Sequence, residues 1–194
     1  MAIVHVVCAA LRPDAAEDAV AHAIELARGL RDAPGAQRSL VGRNEAQIVA
    51  VTWLEGRDAL EPFAASPPHM AFIMRGLAPC IRGMWSAAVE CDVAPPTSVT
   101  SVWVFALQSA ETLFEWQVRD LLDLVATFPG TAASGPTVEE RERYRAGGAV
   151  CLDASHAVAF DAALARARAA WGDIAPSIVE ARVDLDDDAA ETRA

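Results

Sequence analysis

The sequence predicts an α+β fold in which two consecutive βαββαβ units share one core. Its 194 residues are 53% hydrophobic and 22% charged, which is enough apolar material for a large core and unlike a disordered or collagen-like chain. Pairing Val6 with Val104 aligns two strand–helix segments without a gap, at an offset of 98 residues. The strongest strands are apolar on both faces, so both of their faces must be covered.

The first unit is predicted over residues 1–93. Apolar runs without helical periodicity indicate strands, and apolar positions spaced three and four apart indicate helices. Asp14 is a candidate N-cap of the first helix, and Pro62, Pro67 and Pro68 interrupt the second. The predicted order is strand 2–11, helix 14–31, strand 36–43, strand 46–54, helix 57–82 and strand 84–92.

The second unit is predicted over residues 99–185, after a proline-containing linker at 94–98. Its first helix has apolar positions at the same spacing as the first unit, with Ser109 as a candidate N-cap and Gly130 as a candidate stop. The predicted order is strand 99–108, helix 111–127, strand 135–144, strand 147–153, helix 155–171 and strand 177–185. The acidic segment 186–194 is expected to be a disordered tail.

A βαββαβ unit is the ferredoxin-like arrangement, whose four-stranded antiparallel sheet carries both helices on one face. A sheet with one wet face should alternate apolar and polar residues, and these strands do not. In the first strand Val4 and Val6 lie on one face, with Ile3 and Val7 on the other. We therefore expect the two sheets to pack face to face as an intrachain α/β barrel, with a cleft between each sheet and its helices.

Charge and cysteine usage exclude several classes of function. The net charge of −11 and pI near 4.7 are the wrong sign for binding nucleic acid. No apolar run approaches a membrane span and no export signal is present, so we expect a cytoplasmic protein without membrane contact.

The four cysteines are far apart without a CxxC pair, which indicates reduced thiols. No HxxxH, HExxH or carboxylate cluster is present, so we expect no metal.

One passage carries a family resemblance. Residues 48–60, Ile-Val-Ala-Val-Thr-Trp-Leu-Glu-Gly-Arg-Asp-Ala-Leu, followed by Ala-Ser-Pro-Pro-His at 65–69, resemble the dimeric α/β-barrel superfamily and its antibiotic biosynthesis monooxygenase-type domain, present here as a tandem duplication. The family often has a histidine where Phe63 stands, and Cys151 replaces its strand tryptophan in the second unit. The resemblance implies cofactor-independent oxidation of aromatic molecules or haem degradation.

Two histidines and one arginine are the candidate catalytic residues. His5, within the first strand, and His69, at the helix break, are candidate general bases because imidazole titrates near neutrality. Arg75 is a candidate partner for a developing oxyanion. The alternatives are a core histidine, a surface histidine and a solvated arginine. Flat apolar walls for a substrate are offered by Trp53, Trp85 and Trp103, which are equally compatible with core positions.

The sequence therefore predicts a cofactor-independent, monooxygenase-like protein that binds a small apolar or aromatic molecule in the cleft of the first unit. Its barrel is expected to be monomeric through duplication, or to form a further homodimer. The first alternative is a non-catalytic ligand-binding or structural barrel, and the second is a haem-binding protein. A cleft lined by His5, Trp53 and His69 would favour an enzyme or a binding protein over a structural role.

Overall fold

The computed structural model describes residues 1–108, 113–138 and 143–185. The strands are β1 Ala2–Leu11, β2 Ala36–Arg43, β3 Gln47–Leu54, β4 Ile81–Cys91, β5 Ser101–Gln108, β6 Thr131–Pro136, β7 Tyr144–Leu152 and β8 Ile178–Leu185. The α-helices are α1 Glu17–Arg28, α2 Leu60–Ala64, α3 Pro67–Ala71, α4 Glu115–Val125 and α5 Ala157–Trp171. A π-helical turn, Phe72–Leu77, continues α3.

The eight strands form one antiparallel sheet in the order β4-β1-β3-β2-β8-β5-β7-β6. Each half has the same internal order, with its first strand between its fourth and third, which is the ferredoxin-like topology. The halves join where β2 pairs with β8, and the other two edges meet through a bridge between Val89 and Thr137. The sheet is therefore a nearly closed barrel within one chain, and the predicted fold class is confirmed.

The barrel has one inner core and two outer layers. The inner faces of both halves share one buried cluster, which includes Val4, Val51, Val104 and Val183. The outer face of the first half packs against α1, α2, α3 and the π-helical turn. The outer face of the second half packs against α4 and α5. Strands that are apolar on both faces are thus covered on both faces.

The two halves also share their strand register. His5 on β1 lies opposite Thr52 on β3, and Trp103 on β5 lies opposite Val150 on β7. Trp103 follows His5 by 98 residues, and Val150 follows Thr52 by 98 residues. This is the offset that aligns the two halves of the sequence. Residues that are equivalent in the repeat therefore occupy equivalent places in the two sheets.

Helix ends in the first half differ from the predicted ones. Asp14 does not cap α1, which begins at Glu17 after Ala16, a residue without a capping side chain. The predicted helix 57–82 is divided at Ser66, whose hydroxyl accepts a hydrogen bond from the His69 backbone N–H. Helical structure ends at Leu77, and β4 begins at Ile81, earlier than the predicted 84.

The strand predicted at 135–144 is misplaced, and its residues 139–142 lie outside the described part of the chain. Strand β6 runs from Thr131 to Pro136 in small, weakly β-forming residues, so no apolar run reveals it. Gly130 is not the stop of α4, which ends at Val125. It adopts a φ of 102° in the turn before β6, where a β-carbon would lie 2.4 Å from the Cys151 carbonyl oxygen. Ser109 and the segment 186–194 lie outside the described residues.

All four cysteines are unpaired and buried. Burial raises the pKa of the Cys8 and Cys151 thiols to about 12, so both are neutral near pH 7. Within the described ranges, no three His, Cys, Asp or Glu residues form a group suited to a metal ion. None of the helices in those ranges combines the length and apolarity that crossing a membrane requires.

We predict that Gly42→Ala destabilises the barrel at the β2–β8 junction. A β-carbon at Gly42 would lie 2.2 Å from the Asp184 carbonyl oxygen, so the strands must separate to admit it. The expected loss of unfolding free energy is about 1–3 kcal/mol, typical of overpacking, measured by chemical denaturation. Gly83→Ala on β4 is the control, because a β-carbon there meets nothing within 4 Å. Equal stability of the two variants would contradict a tight junction.

Candidate functional site

Polar side chains form a row across the sheet of the first half, under its helices. His5 on β1 is the register partner of Thr52 on β3, which in turn is the partner of Ser39 on β2. The Ser39 and Thr52 hydroxyl oxygens are 3.1 Å apart and form a hydrogen bond. Thr52 is buried, whereas His5 and Ser39 are half-buried. The row places polar groups in an otherwise apolar layer.

His5, Phe63 and His69 bring their rings together above this row. The His5 centroid lies 5.4 Å from that of Phe63 and 5.7 Å from that of His69, in edge-on arrangements. The Phe63 and His69 centroids are 5.0 Å apart. Phe63 is fully buried, and His69 is half-buried. We call these three residues the ring cluster.

The helix break at Ser66 determines how His69 enters the cluster. The Ser66 hydroxyl donates to the Phe63 carbonyl at 2.6 Å, and Pro67 occupies the first turn of α3, where its missing N–H costs nothing. The His69 Nδ1 lies 3.0 Å from the Ala64 carbonyl oxygen, which can only accept, so Nδ1 carries the proton. The lone pair of neutral His69 is therefore on Nε2, which is buried without a hydrogen-bond partner in the described part of the chain.

Burial keeps both imidazoles neutral near pH 7. Burial, and to a smaller extent the charge of protonated His69, lowers the pKa of His5 to about 4. Burial also lowers the pKa of His69, while its hydrogen bond to the Ala64 carbonyl acts in the opposite direction. The ring cluster therefore offers two unprotonated imidazoles in an apolar setting.

The second half covers the edge of this site. Ala88, the partner of His5 on β4, accepts a hydrogen bond from the Val138 N–H at 2.9 Å. Val138 packs on the core of the first half, and its carbonyl accepts a hydrogen bond from Arg57 Nη2 at 2.8 Å. The connection that leaves β6 thus contacts the sheet edge beside His5.

The equivalent space in the second half is filled. Trp103 occupies the place of His5, is only 1% exposed, and stacks on Phe105 with a centroid distance of 4.9 Å. Phe128, Phe160 and Trp171 also pack on its ring. The indole N–H of Trp103 donates to Glu180 at 2.7 Å. Among its described residues, the second half therefore has no counterpart of the ring cluster.

The remaining predicted site residues lie apart from the ring cluster. Trp53 follows Thr52 on β3 and so faces the barrel interior, opposite to His5. Trp85 also packs on the inner core and approaches Tyr144 at 6.0 Å. Arg75 is exposed on the π-helical turn. The structure thus brings together His5 and His69, but the cleft expected between His5, Trp53 and His69 does not form, because Trp53 is on the other side of the sheet.

Sequence reasoning missed Thr52 and did not give Phe63 a role. Thr52 could have been found, because it is a polar residue between Val51 and Trp53 in an apolar strand. The contact of Phe63 with both imidazoles could not, because it depends on the path of the chain through α2 and α3.

A surface groove of about 460 Å³ lies elsewhere, between α1 and the junction of the two halves. Its lining includes Ile24, Arg43 and Leu185, and Glu17 and Arg43 form an ion pair across it at 2.6 Å. None of the predicted site residues lines this groove. It is therefore distinct from the ring cluster.

The fold is similar to that of several solved proteins. An anthrone oxidase-like protein is 11% identical, with 95% of this chain and 91% of that chain covered and a TM-score of 0.59. A candidate chlorite dismutase is 10% identical over 98% and 97% of the two chains, with a TM-score of 0.57. A candidate monooxygenase from Lactobacillus acidophilus is 9% identical over 95% and 93%, with a TM-score of 0.51.

These likenesses span the whole barrel rather than one unit, and at such low identity they concern the fold. Neither a protein-family model nor a curated protein sequence matches the chain. The chain therefore has an eight-stranded, ferredoxin-like barrel fold in common with these proteins.

We predict that His5 makes the protein acid-sensitive. Folding lowers the His5 pKa from 6.5 to about 4, so the unfolded chain binds the proton more tightly. The contribution of His5 to stability is therefore complete above about pH 6.5 and is lost as the pH falls towards 4, by up to about 3 kcal/mol. Denaturation midpoints measured from pH 7 to pH 4 should show this loss in the wild type and a smaller one in His5→Gln. His22→Gln, at an exposed position, is the control, and a pH profile of His5→Gln like that of the control would contradict the prediction.

Proposed function

We propose that this protein binds a small apolar or aromatic molecule at the ring cluster and oxidises it with dioxygen, as a cofactor-independent monooxygenase of the antibiotic biosynthesis type. One observation carries the proposal. Two neutral imidazoles contact the same buried phenyl ring, and one of them has an enclosed Nε2 lone pair without a partner. A buried acceptor without a donor costs free energy, which a substrate that donates a proton there would recover.

The reaction needs no external reductant. An acidic C–H group of the substrate loses a proton to imidazole, and the carbanion transfers electrons to dioxygen as a C–O bond forms. The abstracted proton returns to the peroxide that results. Cleavage of its O–O bond then releases water, whose hydrogen atoms are that proton and the second hydrogen of the carbon. A methylene group and dioxygen thus give a carbonyl group and water, and the four electrons come from the substrate.

His69 is the proposed general base, because its Nδ1–H is held by the Ala64 carbonyl and its Nε2 is free to accept. His5 lies beside it as a second neutral acceptor. The lowered pKa of His69, and that of His5, rises when a substrate anion forms next to the imidazolium, since opposite charges stabilise one another. Phe63 is the proposed apolar wall, and Thr52 the nearest buried hydroxyl on the sheet. The proposal does not require Arg75 or the tryptophans.

The asymmetry of the two halves favours one site per chain. The shared topology, together with the common register of His5 and Trp103, supports an origin by tandem duplication. In this proposal large aromatic side chains filled the cleft of the second copy. The second copy still covers the interior of the barrel. The barrel then needs no second chain to close.

The residues of the ring cluster do not fit a haem group. A porphyrin requires a flat slot between its axial ligand and the opposite wall of the pocket. Here His5 and Phe63 contact His69, with ring centroids 5.0 to 5.7 Å apart, so a porphyrin, which is much wider than a three-ring substrate, would have to displace both of them. We therefore derive no step through haem. A haem titration that produces a Soret band would contradict this packing argument.

The test uses anthrone, whose acidic methylene group matches the proposed chemistry. Dioxygen uptake and anthraquinone formation are measured near pH 7 against the spontaneous reaction. We expect the wild type to exceed the background and His69→Gln to lose about 10²–10⁴-fold in rate, as is typical when a general base is removed. His22→Gln should keep the wild-type rate.

Two results would count against the proposal. Equal rates for the wild type and a correctly folded His69→Gln would place any activity away from the ring cluster. A wild type that neither binds anthrone nor accelerates its oxidation would favour the non-catalytic alternative, in which the ring cluster is packing only. Thermal denaturation of each variant establishes that it is folded.

A further inference from the structure

Two further unsatisfied polar groups lie inside the barrel, on the opposite side of the sheet from the ring cluster. Arg38 on β2 and Trp53 on β3 are register partners. Trp53 belongs to the inner core, and Arg38 shares the face of Leu40, another member of that core. Side chains that lie opposite each other on neighbouring strands have Cβ atoms about 5 Å apart. The two side chains therefore leave neighbouring strands at opposite positions of the same inner face.

Both side chains have an enclosed N–H group without an acceptor. Trp53 is 0% exposed, and its Nε1 is buried with no hydrogen-bond partner among the described residues. The Nε of half-buried Arg38 is likewise enclosed and unpartnered. Its Nη2 lies 3.5 Å from the carbonyl oxygen of Thr97, which is a long contact. Two neighbouring buried donors are rarely left without an acceptor.

The positive charge of Arg38 also lacks a counter-ion among the residues that the structure describes. In the described part of the chain, no carboxylate forms a salt bridge with its guanidinium. The thiol of Cys151 lies near it, but burial raises the pKa of that thiol to about 12, so it carries no charge. Burial lowers the pKa of Arg38 itself, as expected for a cation that protein atoms partly surround. A negative group at this position would satisfy both the charge and the two donors.

We propose that the end of the barrel next to the linker binds a small monovalent oxyanion, most simply a carboxylate, between the Arg38 guanidinium and the Trp53 indole N–H. A guanidinium and one further donor match the two oxygens of a carboxylate. The surrounding wall is apolar, with Val4 and Val102 in the same cluster, so a doubly charged phosphate would find too few partners. This site does not depend on the proposed function, because it lies on the other face of β3.

The experiment follows the indole N–H signals by NMR during a titration with sodium acetate at constant ionic strength, with sodium chloride as the balancing salt. The chain has five tryptophans, so a Trp53→Phe variant identifies the Trp53 signal by its absence. We expect that signal to shift saturably with acetate. Arg38→Met should weaken acetate binding at least about tenfold, since a charged, directed hydrogen-bond partner is lost. Sodium nitrate, a planar inorganic oxyanion, is titrated in parallel.

Matched variants separate a binding site from a packing role. Arg166→Met removes an exposed arginine and Trp116→Phe an exposed tryptophan, and neither should affect acetate binding. Without added anion, Arg38→Met should be as stable as Arg166→Met or more so, because it removes an unpaired charge. A tighter response to nitrate than to acetate would identify an inorganic oxyanion as the ligand and still support the site.

Three outcomes would overturn the proposal. The first is a Trp53 signal that does not respond to acetate or nitrate. The second is a shift that sodium chloride alone reproduces, which would indicate a general salt effect. The third is equal acetate binding by the Arg38→Met and Arg166→Met variants. In any of these cases the two donors are satisfied by water or left unsatisfied.

Discussion

Strands that are apolar on both faces impose the constraint on which the rest of this structure depends. A four-stranded sheet with helices on one side would leave an apolar face in water, at a cost of roughly 25 cal/mol for each Å² exposed. Here the second half supplies the missing cover, and residues such as Val4 and Val104 share one inner core. The junction of β2 with β8 and the Val89–Thr137 bridge follow from the need to bring the two inner faces together.

The same constraint determines where polar chemistry can occur. A strand covered on both faces sends successive side chains into two different dry environments. Thr52 therefore faces the helices and His5, while the next residue, Trp53, faces the barrel interior. A polar group that is buried in either layer needs a hydrogen-bond partner there. The Nε2 of His69, in the outer layer, and the Nε1 of Trp53, in the inner core, have no such partner. Each therefore indicates a position at which a ligand would supply one.

The faces of the long strands and the order of elements could be predicted from the sequence, because both follow from local apolar patterns and a repeat. Strand β6 could not, since small residues and Pro136 carry no such pattern and its pairing with β7 is a tertiary effect. At the candidate site, His5 and His69 were identifiable as separate residues. Their proximity depends on the change of chain direction at Ser66 and Pro67. The apolar periodicity of the sequence does not predict this change of direction.

The difference between the two halves argues that the second has a structural role towards the first. Where the first half places half-buried His5, the second places Trp103 in a stack with Phe105 and Trp171. Large aromatic side chains bury more apolar area than an imidazole. The Trp103 indole N–H donates to Glu180, whereas the Trp171 Nε1 has no hydrogen-bond partner among the described residues. Among the described residues, the outer layer of the second half is thus packed by its own aromatic side chains. It also covers the inner face of the first half and, through Val138, contacts the sheet edge beside His5.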